Sequence, residues 1–247
     1  MHVEIIPCLK DNYAYLLTDG EICAVVDPSE PAPILAALAG RRLTHILNTH
    51  HHGDHTGGNS ELKKAFGATV IGPEKDRGRI PDITIGVSES APFFLGKNQV
   101  RVLEVPAHTR GAIAFVLDGK AFTGDTLFSL GCGRLFEGTP EMMCQSLSKL
   151  MQLPDETKIY CGHEYTLNNG RFALTLEPEN TELVTRVKEA DVLRQRNLPT
   201  IPSSLIMEKQ TNPFLRPDSA EIRKSLGMEK ADTVAVFAEM RARKDVF

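Results

Sequence analysis

From residue 3 to about 163 the apolar positions fall in short runs that are continuous or alternate with polar residues. Gly, Pro, Asp or Asn bounds most of them. This pattern predicts β-strands over residues 3–6, 13–18, 22–27, 45–48, 69–71, 100–105, 112–117, 120–123 and 158–161. Leu117-Asp118-Gly119-Lys120 reads as a hairpin turn, because Asp-Gly supplies the two positive-φ positions of a type I′ turn. Helical patterns at 32–38, 61–66 and 141–151 lie between the strands. Many strands with a few interleaved helices argue for sheets covered by helices, not for an all-β barrel. After about Asn168 the period changes, and residues 171–176, 181–197, 219–226 and 231–244 read as helices. Asp218 and Glu221 look like a capping box, with Gly227 at the helix end. Pro199, Pro202, Pro213 and Pro217 punctuate this region. The expected organisation is a larger β-rich domain, 1–167, carrying a small helical C-terminal domain, 168–247.

Most of the composition is ordinary. The chain has 247 residues, 41% of them hydrophobic and 24% charged, which suits a globular protein of one or two domains. The formal net charge of −4 offers no general attraction to phosphate backbones, so no nucleic-acid partner is expected. The start lacks a basic segment followed by an apolar core, and no run approaches the roughly 20 apolar residues that span a bilayer. No membrane partner is expected. The five cysteines are scattered without a C-x-x-C pair, which suits reduced thiols. The expected location is cytoplasmic. With no heptad or exposed apolar stripe, a monomer is the default.

The chemistry concentrates in Thr49-His50-His51-His52-Gly53-Asp54-His55-Thr56-Gly57-Gly58, between a predicted strand and a predicted helix. In an extended segment His50 and His52 point the same way, and Asp54 and His55 can turn toward a second point after Gly53. Chance produces His-x-His-x-Asp-His in only about 4 of 10,000 shuffled chains of this composition. A solvated His-rich loop is the bland alternative, but the interior position and the aspartate oppose it. Four groups cannot close two metal sites. Three further candidates follow apolar strands: His108 in Pro106-Ala107-His108-Thr109, Asp125 in Gly124-Asp125-Thr126, and His163 in Gly162-His163-Glu164. Singly each is weak, since a histidine or Gly-Asp after a strand commonly serves packing or a turn. Together they complete the count that two adjacent cations require.

The Thr-His-x-His-x-Asp-His loop with separate His, Asp and His positions resembles the metallo-β-lactamase superfamily. The finer resemblance is to the glyoxalase II family. It is carried by Asp11-Asn12-Tyr13, Gly124-Asp125-Thr126-Leu127-Phe128, the stretch from Gly131 to Thr139, Gly162-His163-Glu164-Tyr165-Thr166 and the terminal Arg241-Ala242-Arg243-Lys244-Asp245-Val246-Phe247. It runs nearly end to end. It implies an α/β fold, an αββα sandwich with a small all-helical C-terminal domain. It assigns His50, His52 and His108 to one metal and Asp54, His55 and His163 to a second, with Asp125 bridging. The implied cofactors are two divalent ions, zinc first, with iron or manganese as alternatives. The implied reaction is hydrolysis of S-D-lactoylglutathione to glutathione and D-lactate, with Asp54 and Asp125 holding the metals that activate the hydroxide nucleophile. Arg134, Arg241 and Lys244 match contacts to glutathione, a small anionic thioester partner, and Tyr165 matches a hydroxyl donor beside them. A thiol leaves readily as thiolate, its pKa being about 8.5, so the lack of an obvious further acid suits a thioester.

Other residues have plainer expectations. His51 should point away from the metals, His45 should be structural, and Cys132 should be wall, not nucleophile. Asp27 is evenly balanced between a strand-end turn and a partner of the metal ligands. The family pattern His-Thr-x-Gly-His reads His108-Thr109-Arg110-Gly111-Ala112 here, and Phe136 stands where many relatives carry Tyr. The first change removes one possible hydrogen bond near the site, the second a hydroxyl contact to substrate. Rival readings are another hydrolase of the same fold, a one-iron persulfide dioxygenase, or a non-catalytic binding protein.

Overall fold

The computed structural model describes residues 1–20 and 22–247. The first sheet is built from β1 (His2–Cys8), β2 (Asn12–Asp19) and β3 (Ile22–Val26), then α1 (Pro31–Leu38), β4 (His45–Leu47), α2 (Gly53–Thr56), α3 (Asn59–Phe66), β5 (Thr69–Pro73) and β6 (Ile85–Val87). Its strand order follows the chain. β1 to β3 run antiparallel and β3 to β6 parallel. The second sheet begins with β7 (Phe93–Leu95), β8 (Asn98–Glu104), β9 (Ile113–Leu117) and β10 (Lys120–Gly124). A two-stranded hairpin, β11 (Leu127–Phe128) and β12 (Gly131–Cys132), leads into α4 (Pro140–Met151) and β13 (Lys158–Cys161). The C-terminal segment holds α5 (Thr166–Leu176), α6 (Thr181–Gln195), β14 (Ser203–Ser204), α7 (Leu205–Thr211), α8 (Ala220–Leu226) and α9 (Thr233–Asp245). The second sheet is ordered β14-β13-β10-β9-β8-β7.

Strand periodicity decides the layering. On β2, Tyr13, Tyr15 and Leu17 enter the core between the sheets, where they meet Val102, Phe115 and Phe122 of the opposite sheet. The alternate residues Ala14 and Leu16 face the other way, onto Ile34 and Leu38 of α1 and Leu62 of α3. Both faces are buried, so β2 reads as a continuous apolar run, as a two-sided strand must. The outer face of the second sheet packs on α4 and the C-terminal helices through Leu147, Phe172, Phe214 and Phe237. The result is helix, sheet, sheet, helix: the expected αββα sandwich. Asp118 (φ 48°) and Gly119 (φ 68°) form the predicted I′ turn.

Several expectations shift. α5 begins at Thr166, earlier than the apolar period alone suggests, while α6 ends at Gln195. Ser219, not Asp218, caps α8 by accepting from the Ile222 amide. Asp218 instead takes Arg223 and the Thr233 hydroxyl, tying α8 to α9. α7 was not predicted; its seven residues lie between Pro202 and Pro213, too short for a clear period. β14 adds an edge strand to the second sheet from within the helical segment. Such two- and three-residue strands carry no alternation to read.

Phe237 is fully buried between the C-terminal helices and the second sheet, its ring 5.6 Å from that of Phe214. Phe237→Ala should lower unfolding stability by about 3–5 kcal/mol, the usual cost of emptying a large core site, measured by urea unfolding.

Candidate metal centre and active site

The parallel strand β4 ends at Leu47, and the loop after it is built around one buried carboxylate. Asp27, at the end of β3 with φ 47°, accepts from the Thr49 amide at 2.8 Å and the Thr49 hydroxyl at 2.6 Å. It also faces His55 Nδ1 at 3.1 Å. Asn48 donates to the His55 carbonyl at 3.0 Å, and Asn59 donates back to Asn48 at 2.8 Å. The single turn α2 then carries Asp54 and His55, with the His55 ring 4.2 Å from that of His50. The even balance over Asp27 is thereby resolved in favour of a partner to the ligand loop.

The other loops converge on the same point. His50, His52 and His108 present ring nitrogens within 4.8 Å of one another; so do Asp54, His55 and His163 with their ligand atoms. Asp125 lies between the trios. Its Oδ1 is 3.3 Å from His55 Nε2, and its Oδ2 is 3.3 Å from His163 Nε2 and 3.4 Å from His108 Nε2. Close approach requires glycine here. Gly124 has φ 50° and abuts the Thr49 side chain, and a Cβ on Gly162 would collide with Asp125 and His55. All seven candidates are thus brought together.

Most of the imidazoles face an oxygen with the nitrogen turned away from the centre. His50 Nδ1 meets Thr49 Oγ1 at 3.0 Å, His108 Nδ1 meets the Arg134 carbonyl at 3.0 Å, and His163 Nδ1 meets Asp11 at 2.9 Å. Asn12 donates to the Asp54 carboxylate at 3.1 Å and to its carbonyl at 3.0 Å. These contacts fix ring orientation and leave the inward nitrogens free as ligands. The inward atoms are poorly served without a cation. His50 Nε2, His55 Nε2 and Asp125 Oδ1 are buried without a hydrogen-bond partner, and His52 Nδ1 lies 3.1 Å from His108 Nε2. Buried donors left in this state are costly. A set of five imidazoles and two carboxylates with orphaned inward atoms fits divalent metal ions.

Electrostatics separate the two halves. Burial and the neighbouring imidazoles hold His50 well below its ordinary pKa and His52 down at about 4, so both rings are neutral. Burial opposes charge on His163 too, but Asp125 and Asp54 prevail and raise it to about 10. His55 also rises against the effect of burial, through Asp125 and Asp27. Hydrogen bonding to His163 holds Asp54 well below the usual carboxylate range. Asp125 is held low as well, because the charges of His55 and His163 outweigh its desolvation. Protons on His55 and His163 therefore stand in for a cation beside two anionic carboxylates.

A cavity of about 470 Å³ opens from the centre, lined by His52, Asp54, His108, Asp125 and His163 on one side. Tyr165 stacks face to face on His163, with centroids 4.7 Å apart. Phe136 meets the rings of His52 and His108 edge-on. The lining also carries Arg134, Arg241, Lys244, Asp245 and Phe247. Arg241 is buried and donates to the Cys132 carbonyl at 2.8 Å while pairing with Asp245. Lys244 lies over the rings of Phe172 and Phe247 and bonds Asn168. Burial, with Arg241 and Arg134 nearby, lowers it to about 8. Cys132 is wall as expected, its thiol pushed up to about 11 by burial.

His51 turns from the centre, to Asp76 at 3.1 Å and to Arg79. Arg79 also reaches Glu137, which accepts from the Arg110 amide at 2.9 Å. This network braces the loops of His52, His108 and Phe136. Ala112 is buried in the outer core beneath the second sheet. The supporting roles of Thr49, Asp11, Asn12 and Arg79 were not foreseen. Asp11 lies 152 residues from His163, so no local spacing signals it.

Fold and site together define a member of the metallo-β-lactamase superfamily, whose sequence profile matches residues 10–102. Among solved structures, ETHE1 from Myxococcus xanthus shares the fold with a TM-score of 0.67 at 23% identity, covering 100% of this chain and 99% of its own. The BLEG-1 B3 metallo-β-lactamase does so at 0.67 and 20% identity, covering 87% and 100%. The profile of the hydroxyacylglutathione hydrolase C-terminus matches residues 164–247. The hydroxyacylglutathione hydrolase of Methylococcus capsulatus is 53% identical over 98% of this chain and 97% of its own length. That of Ruegeria pomeroyi is 51% identical over 100% and 99%. The chain belongs to the hydroxyacylglutathione hydrolase family.

Asp11→Ala removes the anion that orients His163. It should weaken metal retention about tenfold or more, read by competition with a chelator of known affinity while the circular dichroism spectrum stays unchanged.

Proposed function

We propose that this chain hydrolyses S-D-lactoylglutathione to glutathione and D-lactate at a pair of divalent cations, zinc in the first instance. The observation that carries the reading is the convergence of seven ligand side chains on one end of a cavity whose other end is cationic. His50, His52 and His108 would hold one ion and Asp54, His55 and His163 the other, with Asp125 shared. A bound cation pair supplies Lewis acidity and brings the pKa of water toward neutrality.

The rest is the work of the chain's own residues. Asp54 and Asp125 stay ionised, so neither serves as a proton donor to the departing group. None is needed for a thioester: oxygen from water bonds the acyl carbon as the carbon–sulfur bond breaks, sulfur departs as a thiolate of pKa about 8.5, and the two protons of water pass to solvent as the product acid ionises. Tyr165 and Phe136 flank the acyl position beside the ligand imidazoles. Arg134 and Lys244 offer positive charge to the glutathione carboxylates, and Arg241, fixed by Cys132 and Asp245, adds its field at the wall. The membership of the hydroxyacylglutathione hydrolase family, over the full chain, supports the substrate. We assign residues 1–167 to the metal-binding unit and 168–247 to the unit that completes the thiol side of the cavity.

Metal analysis of the purified protein should find about two divalent ions per chain, and thiol should appear from S-D-lactoylglutathione. One ion or none at full activity, or no thiol, would remove the reading. Arg241→Ala and Lys244→Ala should raise KM with little loss of metal. Lys244 is charged below about pH 8 and neutral above it. kcat/KM, which reports the free enzyme, should therefore fall as pH rises through about 8 in the native chain. In Lys244→Met this step should be missing.

A further inference from the structure

The hairpin of β11 and β12 forms one wall of the cavity, and its own ladder is only two residue pairs long. Phe128 packs edge-on against His163 and Tyr165, and Cys132 lines the cavity beside Arg241. Asp125 lies just before the hairpin. Just after it, the Arg134 carbonyl faces His108 Nδ1.

Side chains from the C-terminal segment satisfy this wall residue by residue. The carbonyls of Phe128 and Gly131 both accept from Asn212 Nδ2, at 3.1 and 3.0 Å. The Ser129 carbonyl accepts from Asn169 at 3.1 Å, and the Cys132 carbonyl from Arg241 at 2.8 Å. The amide of Leu130 donates to Glu208 Oε2 at 2.8 Å, and Asn212 Nδ2, whose two hydrogens are shared among three acceptors, lies 3.1 Å from the same oxygen. Leu130 is held at φ 59°, a left-handed conformation that a leucine resists. Glu208 and Asn212 are fully buried, and neither lines the cavity.

A buried carboxylate is an expensive way to fill space. Burial pushes the Glu208 pKa upward, and its Oε1 has no partner. Ser203 and Ser129 also favour the carboxylate, and its Oε2 holds the strained turn and the asparagine that holds both flanking carbonyls. The geometry points to Glu208 and Asn212 as positioning residues that set the Phe128–Cys132 wall, and through it the fit of the thioester, without touching substrate or metal. This rests on the reading of the cavity as a glutathione-thioester site. It extends the role of the C-terminal segment from supplying Arg241 and Lys244 to shaping the wall on which they act.

The test compares Glu208→Met, Glu208→Gln and Asn212→Asp with the native protein, all loaded with metal. Glu208→Met removes the acceptor at similar length, and Asn212→Asp removes the donor at constant shape. In both, KM for S-D-lactoylglutathione should rise about tenfold, a modest cost for a misplaced wall, with kcat within about twofold and metal content unchanged. Glu208→Gln keeps an acceptor for the Leu130 amide and should restore KM to near the native value. Hydrogen exchange at the Leu130 amide should accelerate in Glu208→Met and not in Glu208→Gln. If Glu208→Met does not fold, Asn212→Asp and the exchange rate in Glu208→Gln decide. An unchanged KM in folded variants overturns the proposal, as does a loss confined to kcat and metal content. Failure of the native protein to release thiol would overturn the substrate reading instead, and the Leu130 exchange rates would still judge the support of the turn.

Discussion

Asp125 is a carboxylate buried among three imidazoles that arrive on three different loops, and the arrangement of the molecule serves that meeting. An anion in this position is tolerable only with compensating charge close by. The compensation is His55 at 3.3 Å and His163 at 3.3 Å, while His108, which burial keeps toward its neutral form, lies at 3.4 Å. Each of those rings is held from behind, by Asp27, Asp11 and the Arg134 carbonyl. Loss of any backing oxygen frees a ring and leaves the central anion less well matched. The balance is one that a divalent cation would complete, by placing positive charge beside Asp125 and the imidazoles around it.

The sandwich makes this possible by bringing loop ends from both sheets to one edge. β3 and β4 of the first sheet supply Asp27 and the His50–His55 loop. β10 and β13 of the second supply Asp125 and His163. The sheets are stitched at this edge by the Tyr13 amide bonding the Gly162 carbonyl at 2.8 Å and by the Glu164 amide bonding Asp11 at 2.8 Å. Tyr13 also donates to Glu164 at 2.8 Å, and Glu164 accepts from Thr200 of the C-terminal segment. The rigid core thus ends in the His and Asp side chains of the cluster, which limits how far they can drift.

The C-terminal helices belong to the same construction. They bury Phe172, Phe214 and Phe237 against the second sheet, and they line the open side of the cavity with Lys244 and Phe247. Arg241 ties the last helix to the cavity wall. Its guanidinium pairs with Asp245, bonds Cys132 and lies 5.1 Å from the Phe214 ring. It is a structural tie whose charge also faces the cavity.

The ligand loop was legible in the chain because His50, His52, Asp54 and His55 are neighbours, and a rare local spacing carries its own signal. The sandwich strands were legible for a similar reason, as β2 and β9 are near-continuous apolar runs buried on both faces. Residue identity at His108, Asp125 and His163 marked candidates, and resemblance ordered them into trios. The one turn dictated locally, Asp118-Gly119, came out as expected because φ preference resides in the residues themselves. What only the tertiary structure decided was partnership: Asp11 behind His163, Thr49 and Asp27 behind the loop, Arg79 bracing His51, and Glu208 beneath Leu130. These pairs are separated by up to 152 residues. Their hydrogen bonds depend on distances and directions that exist only after two sheets and five C-terminal helices have packed, so no periodicity or spacing along the chain encodes them.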